Sequence, residues 1–339
     1  MNTPADSPYG LHRVIGQRNV LPQQAERLDA RLPCQSTEIE IAVEHIHVDA
    51  SSLRQLRTAH AGDLEAVRAA IVALVRRRGK LHNPVTNSGG MLTGVVRGVG
   101  GAYPSPPAAG ARIASLASLT LTPLRLDELG AIDRQSNSVS ACGTAFLFQQ
   151  SPWTALPHDI PEPVALAAFD VAGAPARVGG RTMRGSRVLV VGAGNSGSLA
   201  TVAAAEAGAA EVIVADINPE RLRALDRLGL RAIRTVQADA TDAVGFAALV
   251  GEPADLTVSC VDLPGVESAC ILATRRDGHV LFFSMTTDFT RAALGAEGVG
   301  SAATLEIGSG FLPGHADLVV DLLRRHPLLW EILAPERKE

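Results

Sequence analysis

The segment VLVVGAGNSGSLATVAAAEAG constrains this chain more than any other. A valine-rich run leads straight into Gly192-x-Gly194-x-x-Gly197 and then into an alanine-rich stretch. The order strand, tight turn, helix follows, because each glycine meets a separate need. Gly192 permits the turn, Gly194 lets backbone approach a ligand, and Gly197 lets the helix pack close to its strand. The alternation then repeats through EVIVAD, PERLRALDRLG, AIRTVQAD, a helix over 242–250, DLTVSC, PGVESACILATR and HVLFFS. Strands rich in β-branched residues, separated by helices, predict an α/β fold with a doubly wound parallel sheet covered on both faces.

A turn of this kind points the first N–H groups of a helix at an anion, and the pyrophosphate of a dinucleotide fits that role. Asn195 and Ser196 fill the turn, and Asp216 ends the next strand nineteen residues after Gly197. A carboxylate there accepts hydrogen bonds from ribose hydroxyls and repels a 2′-phosphate, which favours NAD; Arg221 and Arg223 close by keep NADP open. Asp239 either faces the adenine side or caps the next helix. Cys260, Val261, Ser284 and Met285 follow the carboxyl ends of two strands, where ligands gather in open α/β sheets. They either line the nicotinamide side or serve packing alone.

The preceding half has a different character. Glu38–Val48 alternates as a strand, with Ile39, Ile41 and Val43 on one face. DLEAVRAAIVALVRRR, residues 63–78, reads as a helix capped by Asp63 and ended by Gly79. KLHNPVTNSGGM reads as too polar for core, and short β-like segments continue to about Gln150. PEPVALAAFDVAGAPARVGG reads as a helix followed by a connector at Gly179 and Gly180. These patterns place a β-rich domain over 1–160 and a Rossmann domain over 161–325. A C-terminal helix over 326–339 is expected to pack on the first domain or on a partner subunit.

Composition narrows the classes. The chain has 339 residues, 46% of them hydrophobic and 19% charged, with a formal charge of −4. That balance argues against nucleic-acid or membrane-surface binding, which draw on a basic excess. No apolar run reaches bilayer length and no leader pattern opens the sequence, so a cytoplasmic location is expected. Cys34, Cys142, Cys260 and Cys270 form no zinc or disulfide spacing, and Cys260 and Cys270 read as buried small hydrophobes.

A β-rich half before a Rossmann half is the domain order of the medium-chain dehydrogenase/reductase superfamily. The blocks LHRVI, RGKLHNPVTNSGGMLTG, ASLTLTPL, AFDVAGAPA, FFSMTTDFTRAALGAEGVG and IGSGFLPGHA resemble the L-erythro-3,5-diaminohexanoate dehydrogenase family of lysine fermentation. The similarity runs from about Gly10 to His315. It implies a GroES-like N-terminal catalytic domain and NAD(P)-linked oxidative deamination at C3, giving 5-amino-3-oxohexanoate and ammonia. It also implies a small diamino acid as partner and a homodimer.

Where zinc-dependent members of the superfamily carry metal ligands, this sequence has Asp49, Gly90 and Met91, so no metal is expected. His45, His47 and Asp49 share a strand face by period two and leave a minor metal reading open. Amine oxidation needs a group that manages protons near working pH. Lys80, His82 and Asp49 are the candidates, and Lys80 is the one lysine besides Lys338. Two have a plainer alternative: Lys80 as a surface lysine after a helix end, His82 as a structural loop residue. Asp49 or Asp170 would pair a substrate ammonium, Asp170 alternatively capping a helix turn. Asn83 would bind substrate. Ser118, Thr120 and Thr122 alternate along an expected strand and would hydrogen-bond the substrate carboxylate, or be ordinary strand hydroxyls. The expected site lies in the cleft between the domains. Two other readings are an NAD(P)H-dependent alcohol/ketone or enoyl reductase on the same fold, and a dinucleotide-binding protein without catalysis.

Overall fold

The computed structural model describes residues 7–132 and 137–333. Lys338 and the last residues of the expected C-terminal helix lie outside them. The chain forms two compact units, Met1–His158 and Asp159–Glu339.

In the first unit, β1 (Glu38–Val48) is followed by α1 (Ala50–Ala59) and α2 (Leu64–Arg78). Then come β2 (Gly90–Val99), β3 (Arg112–Ser115), β4 (Leu124–Leu129), β5 (Ser138–Phe148) and β6 (Trp153–Ala155). The sheet order is β4-β5-β1-β2-β3-β6, and every pairing is antiparallel. Helix α2 has the expected ends: Asp63 accepts from Glu65 N and Ala66 N, and Gly79 closes the helix at φ 65°. A side chain at Gly79 would collide with the carbonyl of Leu28, so glycine is required there twice over.

Strand β1 carries a bulge between Val43 and His45, against both neighbours. Before it Ile39, Ile41 and Val43 enter the core; after it Ile46 and Val48 do. An extra residue shifts the inward face by one, so His45 and His47 stay on a common face opposite that core. Asp49 has already left the strand to cap α1. Among the described residues, no three His, Cys, Asp or Glu side chains are grouped so as to hold a metal ion.

The second unit opens with two helices, α3 (Glu162–Phe169) and α4 (Gly173–Arg181), where the sequence suggests one helix and a connector. The break falls at 170–172, and Gly179 and Gly180 lie inside α4. Gly179 faces Ala203 of the following helix, so small residues here serve close helix packing rather than a loop.

The order continues with β7 (Arg187–Val191), α5 (Asn195–Glu206), β8 (Glu211–Asp216), α6 (Pro219–Asp226), β9 (Ile233–Gln237) and α7 (Ala243–Val250). After these come β10 (Ala254–Ser259), α8 (Glu267–Leu272), β11 (Thr274–Phe282), α9 (Phe289–Gly298) and β12 (Thr304–Ile307). The strands pair in parallel in the order β12-β11-β10-β7-β8-β9, the doubly wound arrangement with its switch point at β7 and β10. Val188 and Val190 pack toward Ala174, Val178, Ala200 and Ala204, while Leu189 and Val191 pack toward Phe246 and Val250. Burial on both faces explains why these strands read as continuous apolar runs.

Helices α10 (His315–Arg325) and α11 (Leu328–Leu333) pack on α3, α4 and α5 of their own unit. Arg324 pairs with Asp159 at 2.8 Å and His326 with Glu206 at 2.7 Å. The apolar face of α10, with Val319, Leu322 and Leu323 buried, is covered by α3, α4 and α5. No helix among the described residues is long and apolar enough to cross a membrane.

Candidate active site

The turn after β7 is built for an anion. Gly192 sits at φ 101° against Cys260 and Val261, and a Cβ on it would meet Val261 Cγ1 at 2.7 Å. A Cβ on Gly197 would lie 1.7 Å from Gly192 O, so the helix can approach its strand only with glycine there. Around Gly194 there is open space; the nearest atom to a built Cβ is Arg221 Nη1 at 3.8 Å. Gly194 is the N-cap of α5 and supplies no capping side chain. The first-turn N–H groups of α5 are therefore left without a side-chain acceptor, as a phosphate site requires. Ser196 Oγ is buried, and with Asn195 it borders the same turn.

Asp216, at the end of β8, is almost buried. Its Oδ2 accepts from Ala193 N at 2.7 Å and its Oδ1 from Asn218 N at 2.8 Å. Asp239 is exposed and accepts from the N–H and hydroxyl of Thr241. These bonds, the backbone one foremost, hold its carboxyl below the ordinary aspartate value. The cap of α7 is Asp242, not Asp239. Burial pushes the Cys260 thiol up to about 12, which keeps it a neutral wall residue. Beyond β11, Ser284 Oγ bonds Thr286 Oγ1 at 2.8 Å and accepts from its N–H, and Met285 is 85% exposed.

In the first unit, KLHN is core, against the expectation from its polarity: Lys80, Leu81, His82 and Asn83 are all buried. Lys80 is 0% exposed, and Nζ donates to Pro22 O at 2.7 Å and Gln23 O at 2.9 Å. It is therefore not the surface lysine considered as an alternative. Burial, and then the charge of Arg78, lower its pKa to about 8. Burial, followed by the charges of Lys80 and Arg78, also lowers the pKa of His82. The ring Nε2 of His82 stands 3.4 Å from Asn87 Oδ1, and Nδ1 is buried without a hydrogen-bond partner. Both ends of the Asn83 carboxamide are engaged, Nδ2 with Gln55 Oε1 and Oδ1 with Val85 N.

Asp49 caps α1 with one oxygen only. Oδ1 accepts from Ser51 N, Ser52 N, Ser51 Oγ and Ser88 Oγ. The loop over 83–88 closes on this cap, with Asn83 N donating to Ser88 O and Asn87 N to Asn83 O. Ser52, Thr86 and Ser88 meet there through their hydroxyls. Ser51, Ser52, Gln55, Thr86 and Ser88 join this cluster without having been singled out by the sequence. The usable signal was the DASS run at a helix start facing an Asn-Pro turn, both dense in hydroxyl and carboxamide groups.

Residues 118–122 form a turn rather than the expected strand. Thr120 N and Oγ1 both donate to Ser118 Oγ, and Thr122 Oγ1 donates to Ser118 O. Local hydroxyl–backbone bonds of this kind compete with a strand ladder and win here. Asp170 is the exposed C-cap of α3, close to its capping alternative.

A parallel six-stranded sheet with an uncapped glycine turn at its switch point, together with an antiparallel β unit, is the fold of medium-chain dehydrogenases. An alcohol dehydrogenase from Thermotoga maritima shares this fold with a TM-score of 0.56, at 16% identity over 88% of this chain and 84% of that one. Residues 12–157 match the L-erythro-3,5-diaminohexanoate dehydrogenase N-terminal domain. Residues 171–277 match the alanine dehydrogenase/PNT C-terminal domain. The L-erythro-3,5-diaminohexanoate dehydrogenase of Fusobacterium nucleatum is 38% identical over 333 residues, 96% of each chain. That of Acetoanaerobium sticklandii is 38% identical over 331 residues, 95% of this chain and 96% of that one. The chain belongs to the L-erythro-3,5-diaminohexanoate dehydrogenase family.

Proposed function

We propose that this protein oxidises the C3 amine of L-erythro-3,5-diaminohexanoate with NAD as preferred acceptor, releasing 5-amino-3-oxohexanoate and ammonium. The observation that carries the reading is 38% identity, along 95–96% of the chain, with two dehydrogenases of that name. The glycine turn fits the dinucleotide: Gly194 leaves room for it and the α5 N-terminus offers free N–H groups. Gly192, Gly194, Asn195, Ser196 and Gly197 would hold the pyrophosphate, and Asp216 the adenosine ribose. Asp239, Cys260, Val261, Ser284 and Met285 would border the remainder. The nicotinamide, when bound, accepts the hydride.

The substrate amine arrives as an ammonium and must lose a proton before its lone pair can help expel hydride. Asp49 suits that step: Oδ1 is held by its donors, and Oδ2 is left for the ammonium. His82, held neutral by its burial, would serve the water that adds to the iminium through its unpartnered Nδ1. Lys80 we assign to anchoring the chain at Pro22 and Gln23 rather than to proton transfer. Asn83, Ser118, Thr120 and Thr122 would shape the loops around the substrate, and Asp170 would cap α3. A cytoplasmic homodimer is the expected form, as in the superfamily.

The test is to mix purified protein with NAD or NADP and racemic erythro-3,5-diaminohexanoate, following reduced nicotinamide and ammonium together. Equal amounts of both, formed faster with NAD, are expected. No reduction with either nucleotide, in protein that binds NADH, overturns the substrate assignment.

A further inference from the structure

We infer that Glu267 is a positioning residue for the nicotinamide half of the cofactor, its buried carboxylate clamping the loop after β11 to the loop after β10. The inference rests on the dinucleotide reading of the glycine turn and adds the residue that sets the other end of that site. It does not depend on which amine is oxidised.

Residues 260–266 and 283–288 leave the carboxyl ends of β10 and β11, the end of such a sheet where ligands gather. The first loop lies against the glycine turn, since Cys260 and Val261 are the nearest neighbours of a Cβ built on Gly192. Where the loops start, backbone joins them: Phe283 N donates to Ser259 O at 2.9 Å. Where they end, a side chain does: Asp288 N donates to Glu267 Oε1 at 2.8 Å. Asp288 in turn caps α9 by accepting from Arg291 N. Arg291 returns against Gly265, with Nη1 3.0 Å from where a Cβ would stand. Between these ties the second loop bonds to itself, Thr286 N to Ser284 Oγ and Thr287 N to Ser284 O.

Glu267 is 1% exposed, in a stretch with buried Val266, Ala269 and Cys270. Its Oε2 is buried with no hydrogen-bond partner among the described residues. A carboxylate buried for a single hydrogen bond costs the fold more than an apolar side chain of its size would. What the bond fixes, rather than stability, therefore explains the residue. It fixes the point where the 283–288 loop enters α9, and with it the backbone that carries Ser284 and the exposed Met285. A loop held before its ligand arrives need not be ordered on binding, which strengthens the hold on whatever part of the ligand it faces.

The test titrates the full chain, as wild type, Glu267→Met and Glu267→Gln, with NADH and with ADP-ribose, which shares the adenosine and pyrophosphate but has no nicotinamide. Glu267→Met keeps the length of the side chain and removes the acceptor. It is expected to weaken NADH about tenfold with ADP-ribose changed less than about twofold, and to alter the fluorescence spectrum of bound NADH. Glu267→Gln keeps an acceptor oxygen and should recover most of the NADH affinity. If Glu267→Met does not fold, Asp288→Pro removes the donor from an exposed position, with Asp288→Ala as its control, and the same split is expected. Equal losses for NADH and ADP-ribose, or unchanged NADH affinity in a folded variant that lacks the bond, overturn the clamp. No diamino acid enters these titrations, so the deamination reading stands or falls separately, by the ammonium assay above.

Discussion

The carboxylate of Asp216 holds the backbone N–H of Ala193 at 2.7 Å, joining the end of one strand to the glycine turn of the strand beside it. Its other oxygen takes Asn218 N, so the residue proposed to read the ribose is fixed by the backbone on both sides. Such fixation places the charge before the cofactor arrives, the condition for discriminating a ribose hydroxyl from a phosphate.

Replacing Asp216 by Asn removes that charge and places an amide donor against one of the two N–H groups. NAD affinity is expected to fall about tenfold, roughly 1.4 kcal/mol, with a smaller loss for NADP. Arg221→Ala should weaken NADP more than NAD, because Arg221 stands beside Gly194. Calorimetric titration of the two nucleotides checks both, and equal losses for NAD and NADP would contradict the assignment.

Gly194 and Gly197 should separate binding from folding. Gly194→Ala places its methyl in open space and is expected to keep the melting temperature while weakening dinucleotide binding. Gly197→Ala drives its methyl into Gly192 O and should lower both. Thermal melts with and without NADH distinguish the two outcomes.

Glu38 is buried between Arg13, at 2.8 Å from its Nε, and His12, at 2.7 Å. Burial alone would raise its carboxyl; the bonds from Arg13 and His12 outweigh that and hold it at about 2. A depressed carboxylate adds stability that is complete above the ordinary glutamate value of about 4.5 and lost as pH falls toward 2. Glu38→Gln should flatten urea stability across that window. It should also cost about 3–5 kcal/mol at neutral pH, since Arg13 is left buried without its partner.

Lys80 gives a slope of the same sign in the alkaline range. Between about 8 and the ordinary lysine value of 10.5 the folded protein binds fewer protons than the unfolded chain, so stability rises with pH there. The penalty for the buried cation is full below 8. The stability difference between wild type and Lys80→Met is expected to grow in favour of wild type across that interval. A flat difference in denaturant melts would contradict a buried amine.

Much of this architecture is legible in the chain because its signals are local. Asp63 and Gly79 mark their helix ends by capping chemistry, and the valine-rich strands announce a sheet buried on both sides. What escapes notice depends on distant partners. Lys80 looks like a surface residue until Pro22 and Gln23 supply acceptors from far up the chain. The alternation of Ser118, Thr120 and Thr122 imitates a strand, yet their hydroxyls close a turn on one another. The hydroxyl cluster beside Asp49 is assembled from two segments more than thirty residues apart, which no periodicity in either segment reveals.

The most direct test of the account follows the nitrogen. Erythro-3,5-diaminohexanoate carrying a heavy-nitrogen label at C3 alone is turned over with NAD, and the released ammonium is analysed by mass spectrometry. The account predicts fully labelled ammonium in equal amount to NADH. Unlabelled ammonium, or NADH without ammonium, would contradict it.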